Sequence, residues 1–424
     1  MERASQLYKA YVEILTRELV PAMGCTEPIA VAFCAAKARE TLGRLPSYVN
    51  IQASGNIIKN VKSVVVPHTD GLKGLEAAAA VGIFYGEASR ELEVISSVSE
   101  EQEKALLDKI NTLNITVSPL ESEHILDLII TVGDENGSAS VHIEDEHTNV
   151  VEIISGGRCV YVDKSQEQAI TVGAGADILS ISDIFDFANT VDISDIKDII
   201  RRQIEYNTAI SKEGMTNNYG ARIGKLLSNR SDDVRTRACA AAAAGSDARM
   251  DGCDMPVVIC SGSGNQGMTA SLPVITYAEH YRKSDDELYR ALALSNLVTL
   301  HLKSGIGRLS AYCGAVSAGV GAGAGIAYLL TGDLNVISHT IVNALAISSG
   351  IICDGAKASC AAKISMSVDA GIMGYEMYCD GCEFLGGEGL VGMGVESTIQ
   401  NIYAIGKEGM KETDRKIIEI MTGC

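Results

Sequence analysis

Apolar positions at the start of the chain follow helical spacing. Leu7, Tyr11, Ile14, Leu15 and Leu19 share one face and predict a helix that breaks at Pro21–Gly24. A second helix is expected from near Thr26. Pro28 falls in its first turn, where a missing N–H costs nothing, and the helix runs through Ala30, Phe33, Cys34 and Ala38 to about Leu42. From about 46 to 180 the pattern changes. YVNIQAS, VKSVVVP, LEVISSV, NITVSPL, LDLIITVG, ASVHIE and VVEIISG alternate and are rich in β-branched residues, which predicts strands. SEEQEKALLDKIN reads as a helix among them, and DENGSA as a hairpin turn, hence an antiparallel sheet. After Ile181 the pattern is helical to the end, with glycine-rich breaks at 261–267, 304–307, 350–355 and 381–393. The expectation is an α+β fold in three parts. Residues 1–45 are N-terminal helices packing on the C-terminal part, 46–185 a smaller α+β region, and 186–424 a largely helical domain. The division near 185 marks a change of secondary-structure class.

Composition narrows the function. With 46% hydrophobic and 21% charged residues, 424 residues are ample for two domains and a large core. A formal charge of −19 argues against nucleic acid and against an anionic membrane surface as partners. The longest apolar stretch, Cys313 to Leu330, is mostly Gly, Ala and Val interrupted by Ser317, which suits a tightly packed core helix better than a membrane span. MERASQLYKAYVEILTRELV contains no apolar signal-peptide core, so a cytoplasmic location is expected. Twelve cysteines in a reducing compartment point to buried, catalytic or metal-bound thiols. Oligomeric state is not legible, and a homo-oligomer stays open.

Cys313 sits in SGIGRLSAYCGAV, and Cys353 and Cys360 in SGIICDGAKASCAAK. This spacing is no compact ferredoxin string, and by itself it favours small buried thiols in alanine-rich helices. On one straight helix the Cα atoms of Cys353 and Cys360 would stand roughly 10 Å apart. Asp354–Gly355 offers a break that would bring the sulfurs together. SGSGNQG matches G-x-G-x-x-G at Gly262, Gly264 and Gly267 after the strand-like PVVIC. A dinucleotide loop, a structural turn and a carboxylate-binding helix N-terminus all remain open, the last with Ser263, Asn265 and Gln266 as donors. Cys379-Asp380-Gly381-Cys382 is a C-x-x-C without a second pair and reads as structural. His301 and Lys303 stand near Cys313 in sequence, as site lining or as ordinary helix-end polarity.

Several long runs carry a resemblance: ALSNLVTLHLKSGIGRLSAYCGAV, GAGAGIAYLLTG, SGIICDGAKASCAAKIS, PAMGCTEPIAVAF, ASGNIIKNVKSVVVPHTDG and CSGSGNQGMTASLPV. Over nearly its whole length the chain resembles the L-cysteine desulfidases, relatives of the α-chain of bacterial iron–sulfur L-serine dehydratases. The resemblance implies a 4Fe–4S cluster on Cys313, Cys353 and Cys360, which leaves one iron open as a Lewis acid. It implies that Cys25 of GCTEP is the base. The helix start near Thr26 would lower its pKa and Glu27 would raise it. Asn56, Lys59, Asn60 and His68 fall in family motifs and are candidate substrate-binding residues, as are Ser263, Asn265 and Gln266. Cys424, the last residue, is a candidate labile fourth ligand. Serine dehydratases carry a Ser/His-rich motif where this chain has GCTEP, which favours cysteine as substrate. The expected reaction releases hydrogen sulfide from L-cysteine, giving pyruvate and ammonia. The alternatives are L-serine dehydration by the same chemistry, a non-catalytic iron–sulfur sensor with four protein ligands, and a nicotinamide-dependent oxidoreductase resting on SGSGNQG alone.

Overall fold

A computed structural model of the protein describes residues 1–163 and 178–422. Both N-terminal helices form, over Gln6–Glu18 and Thr26–Leu42. Ser5 caps the first, its hydroxyl accepting from the Tyr8 N–H. Gly43, at φ +75°, ends the second in the left-handed conformation that a helix stop favours.

The strands are β1 (Pro21–Met23), β2 (Tyr48–Ala53), β3 (Asn114–Pro119), β4 (Asp127–Asp134), β5 (Gly137–Glu144), β6 (Val150–Ser155), β7 (Arg158–Val162) and β8 (Pro256–Val258). Six of them make one sheet in the order β3-β2-β4-β5-β6-β7. The hairpin expected at DENGSA joins β4 to β5, with Asp134 opposite Gly137. The sheet is mixed, because β2 and β3 run parallel while its other pairs are antiparallel. A parallel pair needs a long crossover, and helices Gly55–Val61, Gly74–Tyr85 and Glu100–Ile110 provide it. Val49, Ile51, Leu128, Ile130, Val132, Val141 and Ile143 are buried on one face of the sheet, which packs against helix Thr26–Leu42. The fold is α+β, as expected.

Two predicted strands do not form. VKSVVVP begins at the end of helix Gly55–Val61 and continues as loop, and LEVISSV lies in and after a 3-10 turn, Ala88–Glu93. Val64, Val66, Leu92, Val94 and Ile95 are nonetheless buried. Their apolar character serves loops pressed into the core, which composition cannot distinguish from a strand. Helix Gly74–Tyr85 went unpredicted for a related reason. Buried from Leu75 to Ile83 except at Glu76, it shows little polar contrast at helical period. Pro21–Gly24, read as a break, contains β1, which pairs antiparallel with β8.

Beyond Ile181 helices dominate. Gly314–Thr331 lies at the centre, packed by Gly264–His280, Asp285–Ser304, Leu334–Ser348 and Cys360–Cys379. Among the described residues it is the one helix long and apolar enough to cross a membrane, and 83% of it is buried inside the protein. Glycines explain the packing. A Cβ on Gly319 would collide with the Ser367 carbonyl, and one on Gly323 would stand 2.5 Å from the carbonyl oxygen of Gly371. The two helices therefore touch backbone to backbone and run in the same direction. Carried back to the helix starts, this register sets Cys313 beside Cys360. One hydrophobic core runs continuously from the N-terminal helices through the sheet and the helical part.

Candidate active site

The Cys313 and Cys353 segments meet as a short antiparallel ladder. Tyr312 bridges Ile352, the Cys313 N–H donates to Ile351 at 3.2 Å, and the Cys353 N–H donates to Ala311 at 2.7 Å. The two thiols are thereby close enough to share a hydrogen bond, which pushes Cys313 up and holds Cys353 down against the effect of burial. Gly355, at φ +91° and pressed against the Lys59 carbonyl, turns the chain after Asp354. Residues 353–360 are thus no single helix; Cys360 opens Cys360–Cys379, and its thiol lies 3.8 Å from the Gly355 carbonyl. Three lysines surround the thiols. Lys363 pairs with Asp354, Lys59 pairs with Asp414 at 2.5 Å, and Lys303 is buried. Burial pushes the Lys303 ammonium down to about 8, against the pull of Cys353 and Cys313. Three convergent soft donors amid cations suit a thiolate-ligated metal cluster, because the lysines offset the charge the thiolates would carry.

Cys25 lines the same solvent-open cleft as the three thiols, in a small apolar cluster with Val64 and Met250 against which Ala356 and Cys360 pack. It is the N-cap of helix Thr26–Leu42, reached through Gly24 at φ +52°, where a Cβ would strike Pro67. Its thiol donates to Glu27 Oε2 at 3.2 Å, and Asn60 Nδ2 donates to Glu27 Oε1 at 3.1 Å. Burial pushes the Cys25 thiol well above its ordinary value, and the Glu27 charge adds to this; Arg249 opposes. The Glu27 N–H at the helix start does pull the thiol down and the Glu27 carboxylate pushes it up, as expected, but burial outweighs the helix start. A half-charge at a helix end counts for less than full burial beside a carboxylate.

The Gly loop completes the cleft. Ser261 and Gly262 adopt φ +50° and +73°, and helix Gly264–His280 follows. The Thr26 hydroxyl donates to the Gly262 carbonyl at 2.9 Å, tying the loop to the Cys25 helix. Gly267 lets the helix press on the Val258 carbonyl. The strand before the loop, β8, has three residues and one antiparallel partner, β1, so no parallel βαβ unit supports a dinucleotide reading.

Comparison with known proteins shows the family. A family model described as "Serine dehydratase alpha chain" matches residues 89–419, well over half of the chain. The chain belongs to the serine dehydratase α-chain family. The family match covers the Gly loop and Cys313, Cys353 and Cys360, but not Cys25. Full-length relatives cover that part too. A UPF0597 protein of Desulfitobacterium hafniense is 54% identical over 422 residues, spanning 99% of this chain and 98% of its own. Others are 48% identical in Lachnoclostridium phytofermentans (98% and 100% covered) and 47% in Finegoldia magna (97% and 99%).

Within this family member, Cys25, Lys59, Asn60, Ser263, Asn265, Gln266, Cys313, Cys353 and Cys360 all line the cleft. Asn56 and His68 do not. Asn56 donates to Asp414 at 2.9 Å and so helps hold the carboxylate that pairs with Lys59. His68 takes φ +56° in a turn, its Nδ1 3.6 Å from Asp254. Cys424 lies outside the described residues. Cys379 and Cys382 are exposed at the other end of the helix that Cys360 begins. His301 pairs with Glu396 at 2.9 Å and is not on the cleft wall, whereas Lys303 is. Arg249 and Arg308 also line the cleft, and sequence reasoning passed over both. The available signal for Arg249 was a lone cation ending the alanine-rich run ACAAAAAGSDARM.

Proposed function

We propose that this serine dehydratase-like protein is an iron–sulfur lyase that eliminates hydrogen sulfide from L-cysteine, yielding pyruvate and ammonia. The observation that carries it is the convergence of Cys313, Cys353 and Cys360 on a cleft that Cys25 also lines. Those three cysteines would hold a 4Fe–4S cluster. When bound, such a cluster keeps one iron without a protein ligand, and that iron supplies Lewis-acid chemistry.

The chain's own residues handle the proton. Cys25 and Glu27 form a dyad that carries one proton over two bases. Shifting it from the thiol to Glu27 frees a thiolate without changing the net charge, and Asn60 holds the carboxylate in place. The Cys25 thiolate then takes the α-proton, the Cα–H electron pair forms the new double bond, and the Cβ–S bond breaks to release hydrosulfide. The aminoacrylate tautomerises and hydrolyses in water. The first-turn N–H groups of helix Gly264–His280 and the side chains of Ser263, Asn265 and Gln266 bind the substrate. A reducing cytoplasm keeps the thiols free.

A second reading, L-serine as substrate with release of water, is favoured by the family's name. Anaerobic reconstitution with iron and sulfide, followed by assays of sulfide and pyruvate from L-cysteine and of pyruvate from L-serine, separates the two. Faster turnover of cysteine, lost in Cys25→Ala and Cys353→Ala and kept in Cys379→Ser, is the expected result. Serine turnover alone moves the substrate. A fully loaded cluster with no turnover of either overturns the lyase reading and favours a sensor.

A further inference from the structure

The cleft wall carries polar atoms that the protein leaves unpaired. Arg249, in the last turn of helix Val234–Met250, is 1% exposed and among the largest fully buried side chains. Its Nε donates to the Gly24 carbonyl at 2.7 Å, beside Cys25, while Nη2 is buried with no partner. Gly264 is needed there, because a Cβ would stand 2.5 Å from Arg249 Nε. The guanidinium therefore lies against the first residue of helix Gly264–His280, whose N-cap Ser263 makes no side-chain capping bond. Two positive ends, a guanidinium and an uncapped helix start, thus meet at one place.

Beside them the unpaired atoms change sign. Asn265 Oδ1 and Gln266 Oε1 are buried acceptors without a donor. Gln266 lies over Gly314, where a Cβ would be 2.6 Å from its Cδ, and so reaches the residue next to Cys313. Unpaired buried polar groups are costly, so a donor and two acceptors left open on one wall mark the place of a ligand that answers both.

We infer that Arg249 Nη2 and the start of helix Gly264–His280 clamp an α-carboxylate while Asn265 Oδ1 and Gln266 Oε1 receive an α-ammonium, so that the cleft selects a free α-amino acid zwitterion. This rests on the reading of the cleft as a lyase site. It adds Arg249 to the binding groups of that reading, assigns each group its half of the zwitterion, and excludes hydroxy acids and amino-acid amides as good ligands. A hydroxy acid leaves two acceptors facing a group with one proton to give. An amide brings no anion to the guanidinium.

The test is equilibrium binding to the reconstituted protein, anaerobically and by calorimetry, using L-alanine, which has no β-leaving group and is not turned over. L-Alaninamide is expected to bind on the order of 30-fold more weakly than L-alanine, and L-lactate about 10-fold more weakly. Gln266→Leu should weaken L-alanine about 10-fold while leaving L-lactate within about twofold, because only the ammonium contact is lost. Arg249→Lys should weaken both together. Arg249 also holds Gly24, so if that variant fails to fold, the wild-type ligand series and Gln266→Leu still decide. L-Alaninamide binding as tightly as L-alanine, no L-alanine binding at all, or Gln266→Leu weakening both ligands equally would overturn the inference. The predicted ligand order without any elimination would sink the lyase reading and leave this one standing. Elimination with the wrong order would do the reverse.

Discussion

Gly323→Val tests whether the glycine contact between helices Gly314–Thr331 and Cys360–Cys379 positions the cysteines. At Gly323 a Cβ would stand 2.5 Å from the Gly371 carbonyl oxygen and 2.8 Å from its Cα, both backbone atoms that cannot swing aside. Reaching an ordinary contact of about 3.4 Å means parting the helices by roughly 0.9 Å. Overpacking of this kind costs about 1–3 kcal/mol. Valine's two further methyls put the cost at the upper end, and its low helix propensity returns little of what replacing glycine would otherwise gain. At an unfolding entropy of about 2 cal/mol/K per residue, 3 kcal/mol lowers the melting temperature of a chain this long by roughly 3–4 °C. Gly350→Ala is the control, because nothing lies within 4 Å of its Cβ position and its φ is ordinary; it should melt like the wild type. The second readout is iron and visible absorbance after anaerobic reconstitution. Parting the helices moves Cys360 relative to Cys313, while the Tyr312–Ile352 ladder still holds Cys353. Reduced loading is therefore expected even where the variant is fully folded. Melting no lower than that of Gly350→Ala would refute the packing. Lower melting with full loading would refute the claim that this register places Cys360.

Three further outcomes are expected. Glu27→Gln keeps a partner for Asn60 but takes up no proton from Cys25, so kcat for cysteine should fall about 10²- to 10⁴-fold with iron content unchanged; activity within threefold of wild type would remove Glu27 from the proton path. At the Lys59–Asp414 pair, Asp414→Asn should destabilise more than Lys59→Met, as read by thermal melting. The lysine side chain is 1% exposed and the aspartate 16%, so the charge left behind is costlier when it is the lysine's, at about 3 kcal/mol; the opposite order would mean that the lysine finds another partner. In protein without iron, Lys303 sits at about 8 when folded against 10.5 as its ordinary value. The folded chain then binds fewer protons between those values, so this residue's contribution to stability rises with pH from about 8 to 10, by up to roughly 3 kcal/mol. Denaturant midpoints measured across that window should climb in the wild type relative to Lys303→Met, and parallel curves would show that the ammonium is not desolvated.

What the chain reveals without its fold is what depends on neighbours in sequence. The helix from Thr26 to Leu42, with proline in its first turn and glycine after its end, was legible because caps and turns act within a few residues. The hairpin at Asp134–Gly137 was legible for the same reason. The runs at 61–67 and 92–98 and the helix Gly74–Tyr85 were misread or missed because burial on all sides erases the contrast that marks an element. The long motifs named the family, but spacing alone favoured reading the three cysteines as ordinary core thiols. Only the tertiary structure joins them, through a ladder between residues 311–313 and 351–353 and a glycine register between two helices. It also buried Cys25, which decides the direction of its pKa between the two opposing influences legible in the sequence, and it put Arg249 against Gly24 and Gly264. The physical reason is common to all of these. Burial, unpaired polar atoms and charge proximity are properties of a place in space, and residues distant in sequence come to share that place only when the chain packs.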